Sequence, residues 1–421
     1  MPSPTSWKGP CSSACMRYWR RCSPGVDVVN GEVAGAAWRA AVRRWLASEA
    51  APGVALLVAT LVALVWVNSP ARGGYTAVWD TAFGPAALGV RLGLREWIND
   101  GVMTVFFFVI GLEIKHELVQ GSLAQPRRAL VPVLAALGGA TVPALVFLAV
   151  AAGSPAVPGW GVPMATDPAF AVGVLALVAR RVPRGVRVLL LALATVDDVF
   201  AVGVIAIGYH EGLSWAWLAA AVGGCAVIVV LRLLGVRWIW PYVPVGIVVW
   251  WCTLHSGVQA SVSGVALALL TPARPVVGRA VLRELLDRLG PVSAFVAVPV
   301  FALANAGVAL DPRTLAASAT SRLTWAVLAG LLVGKFTGVA GSIALTTRTG
   351  IGDLPAGVRP GHVAGLGLIA GLGFTVALFV TDLAFAPPLA DQSRIGILAA
   401  SLIAATAAAL VLSRAGRPRQ D

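Results

Sequence analysis

Two adjacent aspartates, Asp197 and Asp198, stand in the middle of an apolar run from Val186 to Gly208. At 1.5 Å per residue, Asp197 lies roughly 15 Å beyond Arg187, about half the thickness of a hydrocarbon core. One carboxylate at that depth costs about 2.5–3.5 kcal/mol to insert. Two neighbours add mutual repulsion. A pair kept at such a cost points to cation binding, proton transfer or both. Asp167 lies near the centre of a second apolar run and Lys335 near the centre of a third. Three acids and one base at a common depth indicate a shared polar cavity. Structural ion pairing accounts for Lys335 with one carboxylate, but not for all three acids.

A carboxylate can hold either H⁺ or a share of a cation such as Na⁺. A coupled pair titrating near neutral pH would release protons at alkaline pH and then accept Na⁺. Doing so on alternate faces of the membrane is antiport. Adjacent helical residues point about 100° apart, so Asp197 and Asp198 do not face one partner equally. One can line an ion path while the other meets a neighbouring helix. The Thr166 hydroxyl and carbonyls freed at a helix break would supply neutral oxygens to a hard cation. Asp167 would offset converging helix N-termini and Lys335 converging C-termini.

These residues need a membrane scaffold, and composition supplies one. The chain is 58% hydrophobic and 12% charged, with a mean hydropathy of +0.83. Soluble domains are typically about 25% charged. Hydropathy gives twelve spans, near 52–69, 97–119, 129–151, 160–178, 188–208, 214–233, 238–254, 257–271, 291–310, 323–345, 362–385 and 394–413. With the N-terminus inside, 24 Lys and Arg residues fall on the cytoplasmic side and 6 outside. That asymmetry sets both termini in the cytoplasm. It also explains the net charge of +13 without a nucleic-acid partner. The expected organisation is a basic cytoplasmic extension over residues 1–45, a transmembrane domain over 46–413 and a tail over 414–421.

Spans 3–5 and 10–12 run in opposite directions, which makes them candidates for inverted repeats. The middle member of each is rich in helix breakers. Pro163 and Pro168 flank Thr166 and Asp167 in span 4. Gly361, Gly365, Gly367, Gly371 and Gly373 punctuate span 11. Interrupted helices at matching places in inverted halves point to a midplane transport site.

Other motifs carry less. Gly350–Asp353 spells GxGD, a pattern of intramembrane proteases, but it lies in a polar loop without a Tyr-Asp partner. His116-Glu117 begins a zincin-like motif, but Gln120 replaces its second His. No cofactor and no enzymatic activity are expected. Cys225 and Cys252 read as packing residues, and Cys11, Cys15 and Cys22 match no zinc spacing. His255 and His362 stand near loop ends and are expected to be solvated. No filter-like loop suggests a channel. A symporter of organic anions would need free positive groups, and acids outnumber the single deep lysine.

The strings INDGVMTVFFFVIGLEIKHEL (98–118), ATDPAFAVGVLAL (165–177), LALATVDDVFAV (191–202), SGVQASVSG (256–264), FALANAGV (301–308), GLLVGKFTGV (330–339) and GLGFTVALF (371–379) resemble the NhaA sodium/proton antiporters. The resemblance covers roughly residues 50–413. It implies an all-α polytopic fold of twelve transmembrane helices with crossed, interrupted helices 4 and 11. It also implies a plasma-membrane protein, a homodimer, and electrogenic exchange of inward H⁺ for outward Na⁺ or Li⁺ in pH and sodium homeostasis. By motif position, Asp198 resembles the main Na⁺ ligand and Asp197 its partner. Thr166 and Asp167 resemble the crossing residues, and Lys335 the basic residue that compensates dipoles and pairs with Asp197. Glu113, Lys115 and Glu117 stand where the family's pH-sensing charges are expected, with Glu284 and Asp287 as further candidates. Gln259 and His116 depart from a His and an Arg in well-known relatives, which leaves the pH set-point open.

Overall fold

A computed structural model describes residues 48, 50–86, 89–177, 182–210, 212–236, 238–273, 280–355 and 357–415. The chain divides into two compact units, Met1–Ala51 and Pro52–Asp421. The first lies almost wholly outside the described residues. So do the extension expected over 1–45, with its three cysteines, and most of the 414–421 tail.

The described residues are almost entirely helical. The chain runs through α1 (Ala51–Val67), α2 (Arg72–Asp80) and a short hairpin of β1 (Ala82–Phe83) and β2 (Leu92–Gly93). A π-turn over Trp97–Val102 leads into α3 (Met103–Val119) and α4 (Pro126–Ala151). A 3₁₀ segment (Val157–Met164) and α5 (Pro168–Leu177) flank the first break. Then come α6 (Arg184–Gly208), α7 (Trp215–Leu233), α8 (Tyr242–His255) and α9 (Val262–Leu270). Helices α10 (Val281–Val292) and α11 (Val298–Asn305) are joined by a π-turn, and α12 (Pro312–Thr320) follows. Helices α13 (Arg322–Ala329) and α14 (Lys335–Arg348) are likewise joined by a π-turn. The chain ends with α15 (Pro360–Ala370), α16 (Phe374–Ala384) and α17 (Leu389–Ala415). Among the described residues, seven helical stretches are long and apolar enough to cross a bilayer. The chain is therefore an all-α membrane protein.

Burial separates the centre from the rim. Of the apolar window in Pro360–Ala384, 89% is buried, against 17% in Trp215–Leu233. The stretch holding the second break is thus the middle of the molecule, and α7 stands at its edge. Helices α4 and α14 pack backbone to backbone beside that centre. A Cβ on Gly338 would lie 2.3 Å from the Gly138 carbonyl oxygen, and one on Gly138 would lie 1.9 Å from Ser342 Oγ. Only glycine allows this approach, the small-residue packing usual between membrane helices.

Two features differ from the sequence expectation. The ninth stretch is helical from Val281 to Asn305, beginning well before residue 291. Pro291 lies inside α10 without ending it. The π-turn at Ser293–Ala297 follows and occupies the turn before Pro299, a local adjustment by which a membrane helix accommodates a proline. His362 is 2% exposed rather than solvated. Its Nδ1 accepts the Arg359 amide at 3.1 Å and so closes the N-terminus of α15. A residue three places into a helix can reach back to the cap, whatever its distance from a loop. His255 is half-buried against the rings of Trp217 and Trp251.

Candidate ion site

The first break is made by proline. Pro168 has no amide hydrogen and restricts the residue before it, so Ala165–Asp167 run non-helically between the 3₁₀ segment and α5. The second break, Gly371–Gly373, has a different cause. Gly371 sits at φ −69° and Gly373 at φ −78°, conformations open to any residue. These glycines are required for closeness. A Cβ on Gly371 would lie 2.5 Å from the Leu331 carbonyl oxygen, and one on Gly373 would lie 3.1 Å from that of Ala165.

The two breaks meet. The Asp167 amide donates to the Leu372 carbonyl at 2.6 Å. The Thr166 hydroxyl donates to the Ala370 carbonyl at 2.9 Å. Carbonyls left over where α15 ends thus receive donors from the other interrupted element, as buried backbone requires.

Thr166, Asp167, Asp197, Asp198 and Lys335 are all between 1 and 3% exposed. The three aspartates have different surroundings. Lys335 Nζ donates to both oxygens of Asp197, at 2.9 and 2.7 Å. Asp167 Oδ1 accepts the Phe170 amide at 3.0 Å, capping α5. Its Oδ2 accepts both the amide of Thr375 at 3.1 Å and its hydroxyl at 2.6 Å. Among the described residues no donor bonds to Asp198. Its electrostatic neighbours are Asp197, Glu113 and Asp167 against the single Lys335. Two of the three carboxylates are therefore committed, and the third is available to bind a proton or a metal cation.

The remaining candidates spread along the C-terminal half of α3 and onto α10. Glu113 is exposed and acts on Asp198 through its charge, with Glu117 its electrostatic neighbour. Lys115 donates to the Leu269 carbonyl near the C-terminus of α9. Glu284 pairs with Arg288 on its own helix at 2.8 Å, and Asp287 is exposed. Neither of these two acids bonds to the aspartate pair among the described residues.

Several polar residues were not picked out by sequence reasoning. Thr375 is the clearest, because Thr is common in membrane helices and its partner lies 208 residues away. Asp100, in the π-turn before α3, was hidden by its place at the edge of a span. Its Oδ1 accepts Gln259 Nε2 at 2.7 Å. Both line a cavity of about 640 Å³ together with Tyr209, His255 and Asp382. Asp382 in turn pairs with Arg394 at 2.7 Å. Burial pushes the Tyr209 phenol up to about 12, so it stays neutral. It donates to the Pro158 carbonyl at 2.9 Å and accepts the Gly161 amide at 3.0 Å.

Comparison with known proteins identifies the family. The family model described as Na⁺/H⁺ antiporter 1 matches residues 43–412. The chain is 44% identical over 393 residues to the Na(+)/H(+) antiporter NhaA 2 of Novosphingobium aromaticivorans, covering 92% of this chain and 100% of that one. It is 46% identical over 368 residues to the Na(+)/H(+) antiporter NhaA of an Acidovorax species, covering 85% and 88% respectively. It is 41% identical over 432 residues to the Na(+)/H(+) antiporter NhaA 3 of Frankia alni, covering 93% and 91%.

Proposed function

We propose that this chain, which belongs to the Na⁺/H⁺ antiporter 1 family, moves cytoplasmic Na⁺ or Li⁺ outward in exchange for external H⁺. It is a multi-pass membrane transporter of sodium and protons, not an enzyme. In the proposed cycle Asp198 holds a proton or the cation in turn. Asp197 stays paired with Lys335, and Thr166 with the carbonyls of the break completes the cation's oxygen shell. The exchange is electrogenic and serves pH and sodium homeostasis. Glu113, with Lys115, Glu117, Glu284 and Asp287, sets its pH dependence through the field on the inner side.

The proposed architecture has twelve crossings over residues 46–413, with spans 3–5 and 10–12 as inverted repeats. Both termini lie in the cytoplasm of a plasma-membrane homodimer. The excess of arginine on one side supports that orientation.

The observation that carries the reading is the difference in bonding among the three aspartates. Lys335 occupies both oxygens of Asp197, four groups surround Asp167 through its carboxylate and amide, and among the described residues Asp198 receives no donor. A buried ionised carboxylate without donors is strongly disfavoured, so a mobile cation or proton completes it.

The test is proton flux in inverted vesicles. An imposed acid-inside gradient is expected to collapse on adding Na⁺ or Li⁺, but not choline or an organic anion. Asp198→Asn is expected to abolish this response while the protein remains folded and inserted. Wild-type rate and Na⁺ affinity in the purified Asp198→Asn variant would remove Asp198 from the site.

A further inference from the structure

Helix α16 begins inside the protein without a cap of its own. Its N-cap residue is Gly373, which has no side chain to offer. The missing acceptor comes from the other interrupted element. Asp167 Oδ2 takes the amide of Thr375, while Oδ1 takes the amide of Phe170 at the start of α5. One carboxylate thus caps two helices, whose positive ends both favour its negative charge. The Thr375 hydroxyl adds the shortest bond the Asp167 carboxylate accepts, an O–H···O contact of 2.6 Å between residues that are both 1% exposed. That length is typical of a hydrogen bond to an ionised acceptor.

We propose that Thr375 is a positioning residue for ion exchange: its hydroxyl fixes Asp167, and through it the oxygens of the Thr166–Asp167 turn beside the aspartate pair. The proposal rests on the antiporter reading above. Two facts make the hydroxyl more than a packing group. First, Asp167 and Thr166 both lie close to the pair, since Asp167 acts electrostatically on Asp198 and Thr166 borders Asp197. Movement of this turn therefore moves the neutral oxygens offered to a cation. Second, the bond joins α16 to the start of α5 at the turn itself, beside the edge-on contact of Phe170 with Phe374, so it ties the two interrupted elements together where the oxygens lie. Loosening it weakens capture of the cation without obstructing relative movement of the two elements. Preorganised ligands bind more tightly because less ordering is left to the moment of binding.

The experiment compares Thr375→Val with Thr375→Ser in reconstituted vesicles containing the full chain. Valine keeps the shape and the amide bond but lacks the hydroxyl, whereas serine keeps the hydroxyl. Thr375→Val is expected to raise the apparent KM for Na⁺ about tenfold, the scale of one charged hydrogen bond, with the maximal rate within about twofold of wild type. Thr375→Ser is expected to restore the KM. A purely structural role would instead lower the melting temperature and the maximal rate together. Wild-type KM in Thr375→Val overturns the proposal, as does a Thr375→Ser variant as impaired as the valine one. Should Thr375→Val fail to accumulate in the membrane, Thr375→Cys supplies a weaker donor, and its KM is expected between those of wild type and full loss. A wild-type KM there overturns the proposal too. Absence of Na⁺-driven proton flux in the wild type itself would reject the antiporter reading, and this proposal with it.

Discussion

The Lys335–Asp197 pair allows a quantitative test of how the site is held. Both side chains are 1% exposed, and the ammonium reaches both carboxylate oxygens, at 2.9 and 2.7 Å. Removing one member of a buried pair strands the other charge and typically costs about 3–5 kcal/mol. Lys335→Met is the informative change, because it keeps the stem that packs beside Gly139 on α4 and deletes only the charge. We expect it to lower unfolding free energy by about 3–5 kcal/mol in mixed micelles, read by denaturant titration. Adding Asp197→Asn removes the stranded charge and should recover about 2 kcal/mol or more, since replacing a buried pair by neutral groups is often close to neutral. The three proteins, measured at one pH and one lipid ratio, form most of a double-mutant cycle. A Lys335→Met variant within about 1 kcal/mol of wild type would show that the pair is not a desolvated ion pair. A double variant less stable than Lys335→Met would show that Asp197 is held by partners other than Lys335.

Two further predictions concern the scaffold. Gly338→Ala forces a methyl group to within 2.3 Å of the Gly138 carbonyl oxygen and is expected to cost about 1–3 kcal/mol. Gly341→Ala on the same helix meets nothing within 4 Å and should be neutral or stabilising by up to about 1 kcal/mol. Melting temperatures that fell equally in both variants would refute the close α4–α14 crossing. Asp311 caps α12, and the Thr314 amide, the Thr314 hydroxyl and the Arg313 amide hold its carboxyl below the usual carboxylate range. Its folded value is depressed, so its contribution is complete above the unfolded value of about 3.9 and is lost as pH falls through the folded one. Hydrogen exchange at Thr314 should therefore lose protection, beyond the intrinsic pH effect, only at acid pH, and a pH-independent protection factor would contradict the cap.

Much of the proposed ion site was legible in the sequence because charges are rare in membrane helices. Asp167, Asp197, Asp198 and Lys335 stand out in runs of Ala, Val and Leu, and the structure brings all four to one place. The breaks were legible too, but only one for the right reason. Pro168 interrupts its helix by backbone chemistry, as its presence suggests, while Pro163 lies inside the 3₁₀ segment before the break. Gly371 and Gly373 occupy ordinary helical dihedrals and serve the close approach of Leu331 and Ala165. Composition alone does not separate those two uses of glycine. His362 was misread because a local rule was applied to a residue whose environment is tertiary. His362 is buried although it lies near a loop. Thr375 and Asp100 were missed for a related reason: each is decided by a partner distant in sequence, Asp167 in one case and Gln259 in the other.

The three deep aspartates show what the fold adds to residue type. In the sequence they are equivalent, three acids at one depth, each carrying the same cost of insertion. The fold distinguishes them by donors. Asp197 is given an ammonium. Asp167 is given two helix N-termini and a hydroxyl. Among the described residues Asp198 is given neither, and it lies one residue from Asp197 on α6, turned about 100° away from the direction that meets Lys335. Neutralising all three with fixed partners would produce a stable core and no place for a mobile ion. Neutralising none would leave a site too costly to fold. Supplying donors to two carboxylates anchors the crossing while leaving one group whose charge must be balanced from outside. An exchanger needs one such open position, and Asp198 is the residue we propose for it.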